Sequence, residues 1–368
     1  MANELLHQIA LTQINNVGAV HAKILLDRYE TAPAVFGAKL SDLEKLEGIG
    51  SVRARSIKHF KDFSRAEEEI KFIEKFKITP LFITDENYPK RLLNCYDPPT
   101  LLYYKGKADL NASKIVAIVG TRSYTSYGKN FTEELVSELS EQQILVVSGL
   151  AFGIDTIAHK AALKNSLPTV GVVGHGLDTI YPYENKSLAK EMVNEGGGIL
   201  TQFTSNTKPD KHNFPIRNRI VAGLADATII IETSIKGGSM ITAEMANGYN
   251  RDVFAVPGRV TDTYSSGTNY LIANNKAVLL SNAQQLIDLM GWEEKKKIKT
   301  KKQKELFLNF TEEEKIIIGI LNEKENVHID EINLKSGINS SAVAAAILNL
   351  EFQSVIRSLP GKLYALYD

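Results

Sequence analysis

The chain has 368 residues, 43% hydrophobic and 23% charged, a globular balance that excludes a disordered polymer and, with that length, calls for two or three domains. Basic and acidic residues balance at 43 each, but seven lysines crowd into 295–304 (KKKIKTKKQK); the rest is net acidic, so a nucleic-acid site must rest on a local gathering of cations and backbone amides. The single cysteine, Cys95, excludes an internal disulfide and a cysteine zinc cluster, and without a leader pattern or an 18-residue apolar run the expectation is a cytoplasmic protein with no membrane span.

Residues 1–77 read as a helical domain, with Leu5, Ile9, Ile24, Leu25 and Phe72 at helix-like spacing. Two turns interrupt it, Ile14 to Gly18 and Leu46 to Ala54, and the second, with Gly48-Ile49-Gly50, resembles the hairpin of helix-hairpin-helix (SAM-like) units. Such glycines permit a tight turn whose amides meet a phosphate, or simply join two helices that pack.

From 78 to 291 short β-branched runs alternate with amphipathic helices, which predicts a Rossmann-like, doubly wound, mostly parallel sheet in an α/β domain. Strands are predicted at 115–119, 144–148, 169–173, 198–201, 227–231, 253–256 and 277–280. Helices are predicted at 129–139, 154–164, 188–194, 215–223, 239–250 and 284–289. This architecture gathers the loops after its strands along one edge, where ligands sit. Residues 292–309 then read as a lysine-rich linker, self-repelling and with little to bury, or as an arm that follows phosphate. Residues 310–368 have the pattern of a winged helix. Thr311 is an N-cap with Glu314 three residues on, Gly337 lies at a helix-turn-helix turn, and a terminal hairpin surrounds Pro360-Gly361. Its recognition helix, 341–350 (SAVAAAILNL), carries no Arg or Lys, which favours a structural or protein-binding role over base readout.

Four loops on the predicted ligand edge suit anions. After the first parallel strand, Gly120-Thr121-Arg122 offers close backbone approach, amides and a fixed charge, without the terminal Gly-Lys-Ser/Thr of nucleotide hydrolases or the Gly-x-Gly-x-x-Gly of dinucleotide binders. After the second, Ser148-Gly149-Leu150-Ala151-Phe152-Gly153 leads into a helix whose N-terminal amides face the loop. Asp155 there reads as a cap residue and His159 as structural. The acidic loop 176–185 carries Tyr181, which either stacks on a base or plugs the domain edge.

The stretch 208–220 is the most cationic and aromatic, combining Phe214 as a stacking surface with Arg217, Asn218 and Arg219 on a helix start; one arginine alternatively pairs with Asp226 or Glu232. Finally Gly237-Gly238-Ser239 opens another helix, with hydroxyls on Ser239 and Thr242.

These segments, GTR (120–122), SGLAFGID (148–155), GLDTIYPYEN (176–185), FPIRNRIVAGL (214–224), ETSIKGGSMITAE (232–244) and VFAVPG (253–258), resemble in this order the DNA-processing protein A (DprA/Smf) family over nearly the whole chain. The resemblance implies a Rossmann-like core that binds single-stranded DNA, acts as a homodimer and helps load the recombinase RecA in natural transformation, with no enzymatic turnover and no cofactor or metal. The DNA contacts it implies are Thr121, Arg122, Ser148, Gly149, Phe214, Arg217, Asn218, Arg219, Gly237, Gly238 and Ser239. Arg217→Ala is accordingly expected to weaken DNA binding with the fold retained. LEFQSVIRSLPGKLYAL (350–366) resembles the winged helix of many members. The rival reading is a nucleotide-processing enzyme similar to the phosphoribohydrolases, with Glu244 as its acid; a regulator acting through the winged helix would need base-contacting side chains that 341–350 lacks.

Overall fold

The computed structural model describes residues 2–292 and 310–367, in two compact units, Met1–Leu279 and Leu280–Asp368. The first begins with six helices, α1 (Ala2–Gln13), α2 (Ala19–Tyr29), α3 (Ala32–Gly37), α4 (Leu40–Lys45), α5 (Gly50–His59) and α6 (Ser64–Phe76). Both predicted interruptions are present. Gly48 ahead of α5 and Gly50 at its first residue take left-handed φ values of 82° and 64°, a conformation that glycine adopts at no steric cost. The two turns abut, since Arg53 Nε donates to Asn16 O at 3.1 Å.

A nine-stranded sheet follows, built from β1 (Thr79–Phe82), a short α7 (Lys90–Leu93), β2 (Leu101–Gly106), β3 (Ile115–Gly120), α8 (Ser126–Glu138), β4 (Leu145–Ser148), α9 (Ile154–Lys164), β5 (Thr169–Val172), α10 (Lys186–Asn194), β6 (Gly198–Thr201), α11 (Asn213–Leu224), β7 (Ala227–Ile231), α12 (Gly238–Gly248), β8 (Asp252–Ala255), α13 (Ser266–Ala273) and β9 (Val278–Leu279). The spatial order is β1-β2-β6-β5-β4-β3-β7-β8-β9. From β6 to β9 across the sheet every pairing is parallel, and the strands from β3 to β7 are almost wholly buried and apolar, as a sheet covered on both faces requires. The mostly parallel α/β prediction is correct, and each strand predicted between 115 and 280 has its counterpart.

Four elements are additions: β1 and β2, with β1 antiparallel to β2 and β2 antiparallel to β6 at one edge, and the helices α7 and α13. Helices α1–α6 and the sheet share one apolar core, from Ile9, Leu25 and Ile57 through Tyr103 to Val147 and Leu271.

Starting at β3, the chain builds outward through β4, β5 and β6, then crosses back to place β7 on the other side of β3. Beside β3 the winding direction therefore reverses. Loops leaving β3, β4 and β7 diverge there, and a crevice opens at the carboxyl ends of the strands.

The second unit contains α14 (Ala283–Met290), α15 (Glu312–Asn322), β10 (Val327–His328), α16 (Ile329–Ser336), α17 (Ser340–Phe352), β11 (Ile356–Leu359) and β12 (Leu363–Leu366), with the strands in the order β10-β12-β11. This is a winged helix. Helix α15 has the expected reciprocal cap, Glu314 N donating to Thr311 Oγ1 at 3.2 Å and Thr311 N to Glu314 Oε2 at 2.8 Å. Gly337 ends α16 at φ 66°, and Asn339 caps α17. The lysine-rich linker predicted over 292–309 lies, from 293 on, outside the described residues. Among the described residues no helix is long and apolar enough to cross a membrane.

Candidate functional site

The crevice is an open groove of about 520 Å³ lined by the ends of β3, β4 and β7 and by the starts of α11 and α12. At the end of β3, Gly120 is dictated by packing, because a Cβ there would lie 1.9 Å from Ile231 O. Thr121 N donates to Glu232 O at 2.7 Å, and Thr121 Oγ1 accepts from Ser123 N at 3.1 Å. The loop so folded leaves Arg122 exposed, with its guanidinium 5.6 Å from the centroid of the Phe214 ring.

At the end of β4 the structure corrects two expectations. Ser148 is fully buried and its Oγ donates to Ile118 O at 2.6 Å; it ties β4 to β3 beneath the groove instead of lining it. The glycine loop that follows was expected to offer its amides to an external anion. Gly149 N and Ala151 N instead donate to Asp155 Oδ2, at 3.1 and 3.3 Å, so a carboxylate of the protein already fills that position.

Burial pushes the Asp155 carboxyl above its ordinary range, opposed by Arg217, the two amides and Ser148. Arg217 is itself 5% exposed, and its Nη1 donates to Gly149 O and Val172 O. Burial lowers its pKa to about 10, with Asp155 pulling the other way. Arg217 reaches the groove from the interior as a strut between two strand ends, and Gly149 is the only residue that fits beside it, since a Cβ would stand 2.2 Å from Nη1.

Arg219 diverges from Arg217. Two positions along a helix turn the side chain by about 200°, so both cannot face one groove. Arg219 reaches Asp97, through its carbonyl and its Oδ2 at 3.2 Å, and Gln202 Oε1 at 2.5 Å, and it is not among the groove residues. The acids first considered as its partners are engaged elsewhere: Asp226 accepts from Arg91 Nε at 2.6 Å, and Glu232 accepts from Thr125 N at 2.8 Å.

On the groove side of α11 stand Phe214 and Asn218, both half-buried. Tyr181 lies 6.0 Å from Phe214 at an interplanar angle of 28° and is 45% exposed. Arg122, Phe214 and Tyr181 thus form a column of one cation and two rings.

Across the groove, α12 starts at Gly238 behind Gly237, with no side-chain cap. A Cβ on Gly237 would lie 2.1 Å from Thr233 Oγ1, whereas Gly238 faces open space. The first amides of a helix have no acceptor within it. Beside them Ser239 is 7% exposed and its Oγ has no hydrogen-bond partner. A buried hydroxyl without a partner carries a desolvation cost of about 1–3 kcal/mol, which an oxygen-rich anion in the groove would relieve.

Lys211 is a further groove cation; it lies within the cationic stretch 208–220, and its facing into the groove is what the sequence pattern does not show. Of the groove's lining residues only Asp155 carries a carboxylate, and it is engaged. Glu244, the acid of the rival enzyme reading, lies outside the groove, 63% exposed and 3.9 Å from Lys276 Nζ. His159 is fully buried against Thr169 Oγ1 at 2.6 Å, and burial lowers its pKa to about 3; it is a neutral packing residue.

Comparison with known proteins gives a consistent picture. Residues 79–291 match the model of DNA recombination-mediator protein A, and residues 309–362 match the DprA winged helix domain. Protein Smf of Synechocystis is 36% identical over 297 residues, 78% of this chain and 74% of that protein. DNA processing protein DprA of Streptococcus pneumoniae is 41% identical over 215 residues, 58% of this chain and 75% of that protein. The X-ray structure of the S. pneumoniae protein superposes with a TM-score of 0.67 at 33% identity, covering 77% of this chain and 96% of the other. A structure of DNA processing protein A from Helicobacter pylori, concerned with its single-stranded DNA binding mode, superposes with a TM-score of 0.52 at 36% identity, covering 58% and 94%.

Proposed function

The chain belongs to the DNA recombination-mediator protein A family, the DprA/Smf proteins, and from that premise we propose that its groove binds single-stranded DNA without catalytic turnover. Phosphates meet Arg122, Lys211, the Thr121 loop and the amides of Gly238 and Ser239 with the Ser239 hydroxyl, behind Gly237, whose own amide donates to Ser234 O at 2.8 Å; a base stacks on the Arg122–Phe214–Tyr181 column, with Asn218 alongside. Gly149 and Arg217 shape the floor. Ser148 and Arg219 support the site from inside the fold.

The observation that carries this reading is the facing of the exposed Arg122 over Phe214 with the buried, partnerless Ser239 hydroxyl at an uncapped helix start. A cation, a ring and an unsatisfied donor around one open groove suit a chain of phosphates and bases better than a single small substrate.

Within this reading the protein acts in the cytoplasm as a homodimer through its α/β region, protects incoming single strands and helps load RecA during natural transformation. The function resides in 78–291, with 1–77 and the winged helix of 310–368 as accessory modules joined in part by the lysine-rich segment. The family relationship supports these assignments. The test is titration of fluorescent oligothymidine by anisotropy, with unlabelled duplex as competitor and at rising salt. Log-linear loss of affinity with salt and weak displacement by duplex are expected. No binding at low salt would refute the proposal.

A further inference from the structure

We propose that the N-terminal helices are a positioning element for the groove, acting through Glu69 on α6, whose bonds to Ser205 anchor the loop that delivers Lys211 and Phe214. The inference rests on the reading of the groove as a single-strand site and gives residues 1–77 a part in it.

Glu69 is 1% exposed, on a helix whose other buried residues are Ala66 and Ile73. A charge in such a place is costly unless every lone pair is used. It is used on a segment 136 positions away: Ser205 N donates to both carboxylate oxygens at 3.0 Å, and Ser205 Oγ donates to Oε2 at 2.6 Å. Arg65 closes the arrangement, its Nη2 donating to Glu69 Oε2 at 2.8 Å and to Ser205 O at 2.6 Å. Ser205, itself 6% exposed, is thereby gripped at its amide, carbonyl and hydroxyl.

Two groove elements continue from that point. Along the chain, Asp210 accepts from His212 N at 2.8 Å and, through its carbonyl, from Asn213 N at 3.0 Å, setting Lys211 and the start of α11, one residue before Phe214. Across the loop, Asn206 N donates to Asp178 Oδ1 at 2.8 Å, and Gly176 N to Thr207 O at 3.0 Å. These bonds steady the segment that carries Tyr181, which stacks on Phe214. Loosening Ser205 therefore moves a cation and both rings of the column together, whereas the Gly237–Ser239 side is untouched.

The full-length chain is compared with Glu69→Gln, Ser205→Ala, Lys211→Ala and the Glu69→Gln/Lys211→Ala pair by oligothymidine anisotropy across a salt series, with thermal melts alongside. Ser205→Ala removes only the hydroxyl and serves if Glu69→Gln folds poorly. Glu69→Gln is expected to weaken binding about fivefold to tenfold, as a loosened support does, and to lower the salt slope by about 0.7, one phosphate contact on a single strand. The double variant is expected to bind no worse than the weaker single one, because both changes remove the same contact.

Glu69→Gln and Ser205→Ala proteins that melt lower yet keep wild-type affinity and slope would overturn the proposal, as would losses that multiply in the double variant. Failure of the wild-type chain to bind oligothymidine would reject the single-strand reading instead. Amide exchange without DNA then decides the positioning role separately: faster exchange over 206–212 in Glu69→Gln with α6 still protected is expected, and unchanged exchange there overturns it.

Discussion

The groove beside β3 and the exposed face of α17 are the two places where this architecture ordinarily meets nucleic acid, and they are built from opposite materials. The groove presents Arg122, Lys211, Asn218 and an uncapped helix start, all against one engaged acid. The recognition-helix position of the winged helix exposes Ser341, Ala344, Ala345, Leu348, Asn349 and Phe352, with Phe352 at 79%, and no cation. A winged helix is a shape; phosphate affinity follows charge and free donors, so the fold alone assigns nothing. The contrast favours the α/β unit for the proposed single-strand binding and leaves α17 an uncharged surface.

The largest expected effect separates support from contact within the groove. Arg217→Ala leaves the buried carbonyls of Gly149 and Val172 without their donor, at about 1–3 kcal/mol each; a thermal melt should fall sharply, in contrast to the retained fold expected from sequence. An unchanged melting temperature would mean that Arg217 is a surface ligand after all. Arg122→Ala removes an exposed cation, so the melt should hold while oligothymidine affinity drops by about 1.5–3 kcal/mol, the worth of a charged hydrogen bond.

Phe214→Ala should cost about 1–3 kcal/mol of binding, the scale of one base stacked on a ring, with little change in salt slope. If the slope changed as much as in Arg122→Ala, the column would be working by charge and not by stacking. Arg219→Ala should lower the melt modestly, by about 1–3 kcal/mol for the buried acceptors it leaves, with affinity unchanged; a loss of affinity matching that of Arg122→Ala would return Arg219 to the contact set. Smallest of all, Phe352→Ser should leave oligothymidine affinity within about twofold, and a tenfold loss would move the DNA contact to the winged helix.

Much of this was legible in the sequence because local chemistry dictates it. The runs from Ile115 to Leu279 are apolar and punctuated by glycine, and Thr311 with Glu314 can cap a helix wherever it packs. The glycines at 120, 149 and 237 mark places where no side chain fits, and the close neighbours confirm each one. β1 and β2 escaped notice because an antiparallel edge lacks the strand–helix alternation that marks the parallel part, and Pro80 interrupts the first of them.

What the residues could not reveal was which polar groups satisfy one another across long separations. Asp97 takes up Arg219 over 122 positions, and Glu69 takes up Ser205 over 136. Asp155 fills the second loop with the protein's own carboxylate, so a pattern that promises an anion site is here already occupied. Motif spelling locates a site; the hydrogen-bond ledger divides it into walls and ligands.

Photo-crosslinking of a bromodeoxyuridine-substituted oligothymidine to the full-length chain, followed by peptide mapping, tests the central claim most directly. Crosslinks at Phe214 or Tyr181, lost in Arg122→Ala, are the predicted result. Crosslinks confined to α17 or to the winged-helix strands, with none from the groove, would contradict it.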